Sequence, residues 1–185
     1  MGVLKTVLQR AVTKQINKHF KYDSAKSKRT TSRDIQEKQK LAEDIRLHAK
    51  LQSQQLLKIV NDCAELVNTT VNPDVFFMRY NLMLEKLEEL AGLECTGIFD
   101  NSPELPSEAF LRVEAQFTAA TNEFLERSLK KAKEHADTLK TESGKSKAMS
   151  RYFDNMEKYS IHMDSESLEY LYKMKETYLK GNNEK

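Results

Sequence analysis

Apolar positions along this chain repeat every three or four residues, and nowhere do Val, Ile and Thr alternate strictly with polar neighbours. The pattern predicts helices and no strand. Leu4, Leu8, Val12, Ile16 and Phe20, joined by Val3, Val7 and Ala11, predict a first helix over residues 3–21. Residues 22–32 are polar and aperiodic and read as a flexible linker. A second helix is expected from Thr31 or Ser32 to about Asn68, with Asp34 in its first turn, where the helix dipole favours an acid. Its inward candidates are Leu41, Ile45, Ala49, Leu56, Ile59, Val60, Cys63 and Val67.

Thr69 to Asn72 break the pattern, and Asn72-Pro73-Asp74 then sets a capping residue before a proline at the first helical position. The third helix, 73–91, is apolar over much of its circumference, with Glu85, Glu88 and Glu89 on its polar side, which predicts a central, buried element. Gly92 ends it, and residues 92–106 form the long irregular connection. A fourth helix is expected over 107–141, where Phe110, Val113, Phe117, Ala120 and Phe124 repeat in a 3-4 rhythm. The stripe then slips by one residue to Leu125, Leu129, Ala132, Ala136 and Leu139. Gly144 reads as the next turn, and residues 146–180 as the last long element. Within it, Asp164-Ser165-Glu166 has the composition of a separate helix start and Gly181 of its end.

The expected fold is therefore all-α: an antiparallel bundle of four or five helices with three elements of about 35 residues, each about 52 Å long if straight. A seam that slips suits bundle packing better than one continuous coiled coil. Residues 1–32 form a basic helical arm with its linker, and residues 33–185 the bundle domain. Dimerisation through an exposed seam fits the same pattern.

Charge changes this picture most. The first 33 residues carry nine basic side chains (Lys5, Arg10, Lys14, Lys18, Lys21, Lys26, Lys28, Arg29 and Arg33) against Asp23 alone, a net of +8. The other 152 residues hold 21 basic and 27 acidic side chains, a net of −6. The overall charge of +2 thus hides a basic arm joined to an acidic body, and such asymmetry points to an anionic partner. On the membrane reading, Leu4, Leu8, Val12, Ile16 and Phe20 enter the headgroup boundary while the basic residues meet anionic lipid, each cation contributing about 1 kcal/mol. Met1-Gly2-Val3-Leu4-Lys5-Thr6 also has the spacing of an N-myristoylation signal, a short pattern that recurs by chance. On the alternative reading, the tract from Lys26 to Arg33 binds nucleic-acid phosphates non-specifically; nothing in it reads bases.

Catalytic chemistry finds little footing. None of His19, His48, His135 and His162 follows a Glu by three residues, as a di-metal carboxylate bundle requires. Gly144-Lys145-Ser146 imitates the end of a phosphate-binding loop, but Leu139 occupies the position of its first glycine. The chain reads as non-catalytic, with no cofactor and no metal. Tyr152, Tyr159, Tyr170, Tyr172 and Tyr178, interleaved with methionines, are the candidates for contact with a protein partner, since Tyr and Met give apolar contact with latitude in packing. Cys63 and Cys95 have no metal-type spacing and read as reduced thiols, hence an intracellular setting. No stretch approaches the ~18 apolar residues of a membrane span. The N-terminus lacks the apolar core of a secretory signal, although its acid-poor basic profile overlaps that of a mitochondrial presequence. The expected location is cytoplasmic, peripheral at a membrane.

Overall fold

The computed structural model describes residues 32–181, with side chains over 34–178, and it is predominantly helical. Six α-helices and two short 3-10 turns hold most of the described residues, with no strand among them. The arm falls outside this range: Lys5 to Arg29, Leu4 to Phe20 and the side chain of Arg33 are not among the described groups.

Helix α1 spans Ser32–Thr69, 38 residues without Gly or Pro, and is about 57 Å long. At its end the Thr69 hydroxyl turns back to the Glu65 carbonyl at 2.8 Å. Helix α2, Pro73–Ala91, starts where the sequence predicts. The Asn72 side chain accepts from the Asp74 N–H at 2.9 Å, satisfying one of the amides a helix start leaves open. Phe76, Tyr80, Met83, Leu87 and Leu90 form the buried row of α2, with Phe77 beside them, so the expected central helix is central. The short link and the Arg46–Thr96 contact at the far end place α2 antiparallel to the second half of α1.

After a 3-10 turn at Glu94–Thr96, helix α3 spans Pro106–Ala115 and helix α4 spans Phe117–Asp137. Glu94 ties the loop to α3, accepting from the Ser107 N–H at 2.7 Å and from its hydroxyl at 3.2 Å. The expected continuous helix over 107–141 is thus broken at Gln116, whose φ of −88° and ψ of 0° leave the helical region. The Gln116 N–H bridges back to the Arg112 and Val113 carbonyls, both at 3.1 Å. The Tyr80 hydroxyl donates to the same Val113 carbonyl at 2.5 Å, and its ring meets Phe117 edge-on at 5.1 Å. One α2 side chain therefore holds both sides of the break. Phe76 stacks on Phe124 of α4 at 4.4 Å and joins the first hairpin to the rest of the core.

Helix α5, Glu142–Glu157, starts earlier than expected. The Thr141 hydroxyl accepts from the Gly144 N–H at 3.1 Å, so Gly144 lies inside the first turn of α5, and the turn itself is 138–141. A Cβ at Gly144 would stand 2.8 Å from that hydroxyl, which is why glycine suits the cap. A second 3-10 turn, Ser160–His162, leads to helix α6, Ser165–Gly181. Asp164 caps α6 by accepting from the Ser167 N–H at 2.7 Å, as the Asp164-Ser165-Glu166 pattern predicts, and it also accepts from the Thr118 hydroxyl. Pairs Thr118–Asp164, Glu126–Tyr170 and Lys133–Tyr178 advance together, so α6 runs parallel to α4, with α5 antiparallel between them in sequence.

The all-α bundle stands, but of the three predicted 35-residue elements α1 alone has that length. The other two are divided at Gln116 and at Lys158–Asp164 by contacts between segments distant in sequence.

Candidate functional site

Two surfaces among the described residues combine apolar exposure with charge. The first is the leading half of α1. Because α2 has 19 residues against the 38 of α1, the antiparallel pairing ends near Leu51, and every described side chain from Asp34 to His48 is exposed. Leu41 and Ile45, expected to face inward, are 44% and 46% exposed. The physical reason is register: they continue the row of Leu56, Ile59 and Cys63 past the point where α2 stops. Ala49 is the first residue of that row to be buried.

The loop after α2 reaches the base of this overhang. Arg46 Nε donates to the Thr96 carbonyl at 3.2 Å, and its guanidinium lies 4.0 Å from Asp100. Gly97 makes this approach feasible: its φ is +71°, and a Cβ there would stand 2.9 Å from Arg46 Nη2 and 3.0 Å from Asp100 Oδ2. Between loop and overhang lies a shallow groove of about 400 Å³, with Leu41, Ile45 and Ala49 on one wall and Leu93 and Thr96 on the other. Asp44 and His48 also line it.

The second surface lies between α4 and α6, a shallow groove of about 430 Å³ with Leu129, Tyr170 and Met174 among its lining. Glu126, Lys130, Lys133 and Glu134 of α4 supply charges of both signs around it. The five tyrosines singled out by the sequence have different surroundings here. Tyr152 shares a hydrogen bond with Ser128 at 2.8 Å and donates to the Leu125 carbonyl at 3.1 Å; burial pushes its phenol up to about 12, against the opposing effect of the Ser128 bond. Tyr159 stacks on Phe77 and donates to Asp74 at 2.8 Å, a bond that raises its pKa. Tyr170 donates to Glu126 at 2.5 Å with the same consequence. Tyr178 packs beside Phe153, with the Lys133 ammonium 5.9 Å from its ring centre. Tyr172 is the one left open, 52% exposed. Four of the five thus take part in the bundle's own packing.

Both grooves are open, and Glu134 beside the second pairs with Lys131 at 3.5 Å. Cys95, next in sequence to the groove residue Thr96, is exposed, and its thiol donates to the Gly92 carbonyl at 3.6 Å. Asp44 and His48, one helical turn apart, share the first groove without a hydrogen bond between them. No group of three or more His, Cys, Asp or Glu among the described residues is arranged to hold a metal ion. No described helix is long and apolar enough to cross a membrane. The break at Gln116 and the overhang of α1 both escape sequence reasoning, because each depends on where a distant segment stops. The chain matches no family model, and comparison with curated proteins and with solved structures gives no match.

Proposed function

We propose that this chain is a non-catalytic helical adaptor whose basic N-terminal arm associates with an anionic membrane surface and whose bundle holds a protein partner. The observation that carries this reading is the segregation of charge, +8 over the first 33 residues and −6 over the remainder. An acidic body is repelled by anionic lipid, so a basic arm is of use there only if the two are held apart. The overhang of α1 supports that arrangement, since it separates the start of the described chain from the bundle by roughly 25 Å. For the protein partner, Tyr170 and Met174 in the α4–α6 groove supply adaptable apolar contact inside a rim of mixed charge.

Co-sedimentation of the full chain with vesicles tests the membrane part. Vesicles rich in phosphatidylserine are expected to carry the chain down and pure phosphatidylcholine vesicles to leave it in solution, with binding weakened by salt. Replacing Lys14, Lys18 and Lys21 with Gln is expected to abolish the binding. A chain that ignores anionic vesicles but binds duplex DNA, with affinity falling steeply as salt rises, would overturn the reading in favour of phosphate binding by the Lys26–Arg33 tract.

A further inference from the structure

We propose that residues 3–21 of this same chain dock in the groove beside the overhang of α1, antiparallel to it, and cover Leu41 and Ile45. The groove lacks a neighbour among the described residues, yet its apolar row continues one that is fully engaged in the core: Cys63 and Val67 of that row are buried, whereas Leu41 and Ile45 are not. A face of this kind calls for a partner that carries a matching row.

The N-terminal segment has the required length. Nineteen residues would make a helix of about 28 Å, and the exposed stretch from Asp34 to His48 is about 22 Å long. The chain from residue 22 to residue 31 joins the two; ten residues span at most about 35 Å, enough for the segment to fold back along α1. Rows match as well. Leu4, Leu8, Val12, Ile16 and Phe20 recur every four residues, as do Leu41, Ile45 and Ala49.

Charge favours the same occupant. From Asp34 to His48 the overhang carries four acids against three bases, and Asp44 lines the groove. Asp100 at the base, its side chain 69% exposed, already faces the Arg46 guanidinium at 4.0 Å. A bound basic segment meets Asp44 in the groove, whereas a second copy of the overhang brings acids and bases in nearly equal number. Tethering also gives the segment an effective concentration in the millimolar range, so docking avoids most of the entropy that a second chain must lose.

Docking itself is independent of the membrane reading, but its use rests on that reading. One apolar row cannot face α1 and lipid together, so the docked segment is withheld from the membrane and its release bares the α1 groove. A nitroxide on Cys95, which is exposed next in sequence to the groove residue Thr96 while Cys63 is fully buried, provides the test in the full-length, isotope-labelled chain. Amide resonances within residues 3–21 are expected to broaden, and to recover in Leu41→Asp/Ile45→Asp, a variant at two exposed sites whose melting temperature should be unchanged. No broadening in 3–21 would overturn the docking. Broadening that appears only when nitroxide-bearing and isotope-labelled chains are mixed would overturn it in favour of a second copy. Phosphatidylserine vesicles separate the two ideas: the double variant is expected to bind them several-fold more tightly than the unaltered chain. Equal binding would overturn the competition, whereas broadening in a chain that ignores the vesicles would overturn the membrane reading alone.

Discussion

The Tyr80 hydroxyl donates to the Val113 carbonyl where α3 gives way to α4. In an unbroken helix that carbonyl would accept from the N–H of Phe117, four residues on. Here it accepts from Gln116 and Tyr80 instead. Tyr80→Phe keeps the ring against Phe117 and removes only the donor. It is expected to cost about 1 kcal/mol, read as a lower urea midpoint with an unchanged slope. A variant as stable as the parent would mean that the break needs no clamp.

Burial pushes the phenols of Tyr80 and Tyr152 up to about 12 from a usual 10.0. A group whose pKa is raised by folding contributes stability below its unfolded value, and that contribution is lost as pH rises through the folded one. Stability should therefore fall between pH about 10 and about 12. Tyr80→Phe and Tyr152→Phe should each flatten that fall in denaturant titrations at alkaline pH, and an equally steep fall in both variants would assign it elsewhere.

Asp164 shows the opposite sign. Partial burial works to raise its carboxyl, but the hydrogen bonds from Thr118 and Ser167 outweigh it and hold the pKa below the usual 3.8. Its contribution is present above the unfolded value and is lost as pH falls through the folded one. Asp164→Asn keeps a capping side chain and should shed that acid sensitivity, whereas Asp164→Ala should cost about 1 kcal/mol near neutral pH. Thermal melts from neutral pH down through the carboxylate range distinguish the three proteins.

Gly97→Ala places a methyl group in a left-handed backbone position and against the Arg46 guanidinium. The backbone conformation alone costs roughly 1–2 kcal/mol. Loss of the Arg46–Thr96 contact should follow, seen as faster hydrogen exchange over residues 93–100. Unchanged exchange there would separate the loop from α1.

The two cysteines should differ in reactivity. Cys63 has no exposed surface, while Cys95 lies open in the loop. A thiol reagent is expected to modify one site per native chain rapidly and the second only in denaturant. Two fast sites would place Cys63 outside the core.

Local signals were legible wherever a residue's own chemistry decides the outcome. Asn72-Pro73-Asp74 starts α2 through a side-chain cap and a pre-set φ, and Asp164 caps α6 in the same manner. The division of the fourth helix was hidden because Gln116 is an ordinary helix former, and its partner in the break is a tyrosine 36 positions earlier. Gly144 misled for a related reason: a glycine close to a turn reads as the turn, whereas here it gives the Thr141 cap room inside α5. Periodicity places Leu41 and Ile45 on the same stripe of α1 as the buried Leu56 and Cys63, but it does not reveal that α2 ends before reaching them and leaves them exposed. As for the site, the charge asymmetry is fully readable from residues, while the groove depends on a register that no local pattern encodes.

The 38-residue length of α1 also bears on standoff. A bundle tethered to a surface through the start of this helix would hang roughly 25 Å from its anchor, and a stiff rod transmits direction as well as distance. Shortening the overhang by seven residues would draw the body about 10 Å closer and keep its facing within about 20°, whereas removing two residues would turn it by about 160°. If the arm anchors the chain to a membrane as proposed, the overhang sets orientation at that surface more than affinity for it.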